Sequence, residues 1–117
     1  MPVPERYVEL FGRYLSRTET LRGAANADLW LRYRRLALTD QRLLCLERGG
    51  LRHLPKYYRL TTIPLRRITA VDVQAGRVQT TLTVVIEGGG RFSYGLPSFS
   101  KGTDRFCAAL RAAVGGE

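Results

Sequence analysis

Apolar and polar positions change rhythm twice along the chain. Between residues 4 and 17 (PERYVELFGRYLSR), Tyr7, Leu10, Phe11, Tyr14 and Leu15 recur at helical spacing, with Val3 just before them. This predicts an amphipathic helix. Pro4 suits its first turn, Glu5 complements the positive helix end, and Glu9 with Arg13 makes a favourable i,i+4 pair. Gly12 weakens the middle by about 1 kcal/mol relative to alanine. Such a stripe can pack on the domain, lie on a membrane interface or dock a partner. Packing is the usual case, because the opposite face is only modestly basic.

The rhythm then shortens to that of strands. Residues 20–33 (TLRGAANADLWLRY) read as one long or broken strand anchored by Trp30 and Tyr33. Residues 34–39 and 42–48 are apolar runs on either side of Thr39-Asp40-Gln41-Arg42, whose polar side chains favour a tight turn. Asp40 is expected to hydrogen-bond its own turn backbone, and Arg42 to reach a carboxylate or the turn carbonyls. Residues 49–58 (GGLRHLPKYY) read as a loop. Residues 59–65 resume strand character, and Pro64 implies an edge position or a bulge.

In residues 67–75, Thr69, Val71, Val73 and Ala75 share one face. In residues 79–86, Leu82, Val84 and Ile86 face one way and Thr81, Thr83 and Val85 the other. Gly88-Gly89-Gly90 suits a hairpin that returns through Phe92, Tyr94 and Leu96. The last change of period comes with Phe99, Thr103, Phe106, Cys107, Leu110, Ala113 and Val114, a helical stripe that Ser100 or Thr103 can cap and Gly115 can end. The predicted order is helix, about seven short strands, helix. Antiparallel strands with such short connections bury both faces only by curling or stacking, and a terminal helix can plug the open end.

Composition narrows the class. A chain of 117 residues holds one domain with a core of its own. No apolar run approaches the roughly 20 residues that span a bilayer. The start, MPVPERYVELF, has neither a basic n-region nor an apolar h-region, so no secretory signal is expected. Cys45 and Cys107 stand apart, without metal-ligand spacing, and read as small core residues of a protein in a reducing cytoplasm. The formal charge is +9, and seventeen of the nineteen cations are arginine. That surplus favours acidic partners; codon bias in a GC-rich genome is the alternative source of the same composition.

Four blocks resemble a known family. Leu38-Thr39-Asp40-Gln41-Arg42-Leu43-Leu44 is similar to the "LTDRRLL" turn of bacterial pleckstrin-homology-like and GRAM-like domains. Ile63-Pro64-Leu65-Arg66-Arg67-Ile68-Thr69-Ala70-Val71 resembles their "IPL..I..V" segment, Thr81 to Val84 with Gly88, Gly89 and Phe92 their late hairpin, and residues 99–114 their closing helix. The resemblance covers about residues 19–114. It implies a mainly β fold: a split barrel of about seven antiparallel strands capped by a C-terminal helix. The expected organisation is an N-terminal amphipathic helix over 1–18 and a pleckstrin-homology-like unit over 19–117.

No catalytic constellation is visible. His53 is the only histidine, the serines lack a nucleophile-elbow pattern, and the glycines lack the context of a phosphate loop. One histidine and two separated cysteines do not make a conventional zinc site. Neither an enzyme nor a cofactor is expected. A basic site is the better candidate. From Arg48 to Arg67 the chain carries Arg48, Arg52, Lys56, Arg59, Arg66 and Arg67 with no acidic residue, and Tyr57 and Tyr58 lie among them. Arg32, Arg34 and Arg35 form a second cluster.

In lipid-binding members of the resembled family, basic residues near the first two strands and in the loop after the third grip inositol phosphates. Arg32 and Arg34, with Arg48, Arg52 and Lys56, give a partial echo of that pattern, while the upstream cation is supplied only by Arg22. The candidate anion, lipid or acidic-partner residues are therefore Arg32, Arg34, Arg35, Arg48, Arg52, Lys56, Arg66 and Arg67. The candidate interface residues are Tyr7, Phe11, Tyr14, Tyr57 and Tyr58. The expected role is a non-catalytic interaction or scaffold module for a protein partner or a second copy. Anionic or phosphoinositide membrane surfaces are the alternative, with peripheral attachment at the inner face, and nonspecific nucleic-acid binding comes next.

Overall fold

The computed structural model describes residues 11–27, 34–49, 57–98 and 100–115. Among the described residues, seven strands precede a C-terminal helix: β1 (Leu21–Asn26), β2 (Arg34–Thr39), β3 (Arg42–Gly49), β4 (Tyr57–Pro64), β5 (Ile68–Ala75), β6 (Gln79–Ile86), β7 (Arg91–Pro97) and α1 (Lys101–Gly115). Of the helix expected over residues 4–17, residues 4–10 lie outside the described residues, Phe11 and Gly12 are helical, and residues 13–17 are not. The strands form two antiparallel sheets, β1-β2-β3-β4 and β5-β6-β7. A 3-10 turn, Leu65–Arg67, carries the chain between them. Strand β1 approaches β7, and α1 packs against β1 and β5. Pro64 ends β4, an edge strand, as its missing N–H requires. Tyr57 and Tyr58, read above as loop, already belong to that strand. Trp30 and Tyr33 lie outside the described residues, as does Phe99.

The main core lies between the sheets and under α1. Leu36, Leu38, Leu43, Leu82, Val84, Leu96, Phe106 and Leu110 are buried there, and both cysteines are buried and free. A second cluster lies on the other face of the four-stranded sheet, where Phe11 packs with Ala37, Leu44 and Leu46, flanked by Tyr14, Leu15, Leu21, Ala24 and Leu60. Both faces of β2 and β3 are therefore covered. This explains why LAL and LLCL are unbroken apolar runs instead of alternations.

The β2–β3 turn is held by Thr39. Its fully buried hydroxyl accepts from the N–H groups of Gln41 and Arg42, each at 3.0 Å, and donates to Glu19 Oε2 at 2.7 Å. Asp40, expected to close its own turn, instead accepts from the backbone N–H of Thr20 at 2.9 Å and anchors the entry to β1. Arg42 does reach a carboxylate: its Nε and Nη2 donate to Glu19 Oε2 and Oε1 at 2.7 and 3.0 Å, and Nη2 also bonds the Tyr14 carbonyl. One residue pair thus fastens the 11–20 segment across the outer face of the sheet.

The late hairpin turns through Gly88 and Gly89, whose φ values are +88° and +89°. A Cβ at either position would meet nothing within 4 Å, so substitution there costs only conformational energy. Gly89→Ala is expected to destabilise the fold by about 1–2 kcal/mol. In urea unfolding the midpoint should fall while the slope stays unchanged. An unaltered midpoint would refute the conformational role.

Candidate functional site

Strand register decides which cations meet. Across β2, β3 and β4, Arg34 pairs with Glu47 and Glu47 with Arg59; one step along, Arg35 pairs with Leu46 and Leu46 with Leu60. Arg48 lies opposite Tyr58, and Gly49 opposite Tyr57. Alternation sends Arg34 to the inner face with Leu36 and Leu38, and Arg35 to the outer face with Ala37. Arg34, Arg35, Arg48 and Arg59 therefore occupy one end of the four-stranded sheet, divided between its faces. The β1–β2 and β3–β4 connections leave from that same end. Arg32, Arg52 and Lys56, which belong to those connections, lie outside the described residues, as does His53.

Arg66 and Arg67 do not join this group. They are exposed on the 3-10 turn, beyond the far end of β4 from Tyr57. Seven strand steps put roughly 24 Å between those two ends. The described members of the eight sequence-predicted cations thus divide into two regions, Arg34, Arg35 and Arg48 in one and Arg66 and Arg67 in the other.

Arg34 is the most constrained of them. Its Cζ lies 5.6 Å from the centre of the Tyr94 ring, and Nη1 reaches the Ser93 carbonyl at 3.5 Å. Nε is buried and has no partner. The side chain bridges β2 to β7 across the seam between the sheets, and the cation–π contact contributes on the order of 1 kcal/mol. Burial, reinforced by Cys45, pushes the Tyr94 hydroxyl upward from its ordinary pKa, and Arg34 opposes it. Burial likewise pushes the Cys45 thiol up to about 11, with Arg34 lowering and Glu47 raising it. Both groups stay neutral at physiological pH, so Arg34, Glu47 and Arg59 are the charges the register places at this end of the inner face.

The aromatic candidates also separate. Phe11 is fully buried against Ala37, Leu44 and Leu46, and Tyr14 is half-buried beside them. Phe11 is therefore not offered to a partner: an apolar outer sheet face needs a cover, and this ring supplies it. Tyr7 lies outside the described residues. Tyr57 and Tyr58 open β4 at the arginine-bearing end. Two residues matter here that were not among the candidate site residues. Glu19 sits in a polar stretch without periodicity, and Arg59 belongs to the acid-free basic run but is placed at this end only by its register against Glu47. Among the described residues, no cluster of histidine, cysteine, aspartate and glutamate is placed to hold a metal ion. None of the described helices is long and apolar enough to cross a membrane.

No protein-family model matches this sequence, and no curated protein matches it. Solved structures do. A pleckstrin-homology domain from Shewanella amazonensis SB2B superposes with a TM-score of 0.70 at 15% identity, covering 94% of this chain and 86% of that one. A DUF1696-family protein with a pleckstrin-homology domain from Shewanella loihica PV-4 gives 0.62 at 17% identity, covering 91% of each chain. The hSac2 domain of the human phosphoinositide phosphatase Sac2 gives 0.57 at 12% identity, covering 93% and 80%. The chain has a pleckstrin-homology-like fold. Its likeness to GRAM-like domains rests on the sequence blocks alone.

Proposed function

We propose that this pleckstrin-homology-like chain is a non-catalytic interaction module that binds an acidic protein partner through the Arg34, Arg35, Arg48 and Arg59 end of its four-stranded sheet. The reading is carried by the strand register, which gathers these positions and directs the connections bearing Arg32, Arg52 and Lys56 from the same end. Arginine supports a carboxylate-bearing partner, since its planar fork matches a carboxylate with two parallel hydrogen bonds. The row Arg34–Glu47–Arg59 also alternates in sign. A patterned row rewards a partner of complementary pattern and fixes its register, whereas a membrane surface answers to summed positive charge.

One observation favours a second reading, the anionic membrane. Tyr57 and Tyr58 follow Lys56 directly at this end, and amphipathic rings beside cations suit a lipid interface.

The test is binding of labelled polyglutamate and of phosphatidylglycerol-containing vesicles at low and moderate salt. The triple variant Arg48→Glu, Arg52→Glu, Lys56→Glu should bind polyglutamate at least tenfold more weakly, and Arg66→Glu with Arg67→Glu should leave that binding unchanged. Equal losses in the two variants would show only bulk charge and defeat the assignment. Vesicle pelleting with no polyglutamate binding would replace the protein partner by a membrane.

A further inference from the structure

We infer that the partner element held at the arginine-bearing end is an α-helix that crosses β2, β3 and β4 at right angles, carries an acid–base–acid row, and takes its register from Glu47. The inference rests on the acidic-partner reading above and names the secondary structure and charge pattern of that partner. Arg34, Glu47 and Arg59 stand side by side on three neighbouring strands, so charge runs plus, minus, plus across the sheet. Arg34 and Glu47 are half-buried, and Arg59 is exposed. Among the described residues, the Glu47 carboxylate makes no ion pair with either guanidinium. Opposite charges on facing strands gain by pairing; left unpaired, these three keep their bonding capacity for an incoming segment. Arg34 is also held by the Tyr94 ring and the Ser93 carbonyl, so its fork meets a carboxylate with little further loss of freedom.

Spacing selects the occupant. Facing residues on adjacent strands lie about 5 Å apart, which puts the two arginine positions about 10 Å from each other. On an α-helix, positions i, i+4 and i+7 share one face and rise by about 6 and about 10.5 Å. On an extended chain, side chains of one face come at i, i+2 and i+4, about 6.7 and about 13 Å along, so the outer acid overshoots. A helix laid across the strands thus sets one acid at Arg34, a base at Glu47 and a second acid at Arg59. A segment running along any one strand meets a single member of the row. Within such a helix the glutamate–lysine pair at i and i+4 is itself favourable, so the partner is partly ordered before it binds. Glu47 separates the site from a general basic patch, because a helix acidic at all three positions sets carboxylate against carboxylate in the middle.

The probe is a labelled alanine-based helical peptide with glutamate, lysine and glutamate at i, i+4 and i+7. One control is an isomer with the same three residues at i, i+2 and i+4. The other has glutamate at all three helix positions, with lysines on its opposite face to match the net charge. By fluorescence anisotropy at low salt, the first peptide should bind about fivefold more tightly than either control, the worth of one well-formed ion pair. Glu47→Lys, its fold verified by circular dichroism, should invert the preference between the two helical peptides of equal charge. Glu87→Lys makes the same charge change in the β6–β7 turn, beside Arg67, and should leave the preference as it is. Equal binding of all three peptides, tighter binding of the isomer, or an unchanged preference in Glu47→Lys overturns the inference. If polyglutamate still binds in that case, the acidic partner stands and only its helix falls; loss of polyglutamate binding as well defeats both.

Discussion

Replacing Arg42 with alanine is expected to destabilise the fold by about 3 kcal/mol at neutral pH, because it leaves a buried carboxylate without its cation. The Glu19 side chain is 1% exposed and that of Arg42 26%. The carboxylate accepts from Arg42, from the Thr39 hydroxyl and from the Ser16 N–H at 3.1 Å. These bonds, Arg42 first, outweigh the opposing effect of burial and hold its pKa at about 2 instead of 4.5. A depressed carboxylate pKa stabilises the fold above the unfolded value and loses that contribution as pH falls through the folded value. The stabilisation is therefore complete above about 4.5 and fades from there through about 2.

Without Arg42, burial acts on Glu19 with less opposition, so acid should cost the variant less than it costs the parent chain. Urea midpoints measured from neutral pH downward should show the two proteins converging. A gap that stayed constant into acid would remove the electrostatic explanation. Arg42→Lys, which keeps the charge and loses the fork, should fall between them.

Phe11→Ala is the second large effect, with an expected loss of about 3–5 kcal/mol. Phe11 has no exposed surface and packs with Ala37, Leu44 and Leu46, so truncation leaves a cavity in that cluster. Combining Phe11→Ala with Leu44→Ala should cost less than the sum of the single changes, since the two residues share one cluster. Denaturant unfolding reads both quantities. Unchanged stability with altered solution mass would return Phe11 to the role of an interface residue.

The strands were legible where one face differed from the other. Thr80, Leu82 and Val84 of β6 point inward, β7 follows the same alternation, and β5 does so only from Val71 to Gln74, past the register shift between Ile68 and Ala70. The runs LAL and LLCL were read as strands about a turn, but that both their faces are covered came from the structure, where Phe11 packs over Ala37, Leu44 and Leu46. The turn between them was placed correctly but its chemistry was exchanged, with Thr39 closing it and Asp40 bonding to Thr20. Adjacent residues in a turn have similar donors and acceptors, and only the position of β1 decides which is used.

The basic site was less legible than the fold. Arg34 and Arg35 are neighbours in sequence yet lie on opposite faces of the sheet. Arg59 and Arg66 are seven residues apart, yet one lies near the start of β4 and the other on the 3-10 turn beyond its far end. By itself, the sequence determined the strand order, the hairpins, the apolar faces and the charge surplus, because periodicity and turn residues act over a few positions of local backbone. Only the tertiary structure decided that Glu19 meets Arg42, that Phe11 covers an outer sheet face, that Arg34 lies over Tyr94, and that Arg66 and Arg67 stand apart from Arg34, Arg35 and Arg48. Those outcomes depend on strand register and on how one sheet packs on the other, where a single-residue shift moves every side chain to the opposite face.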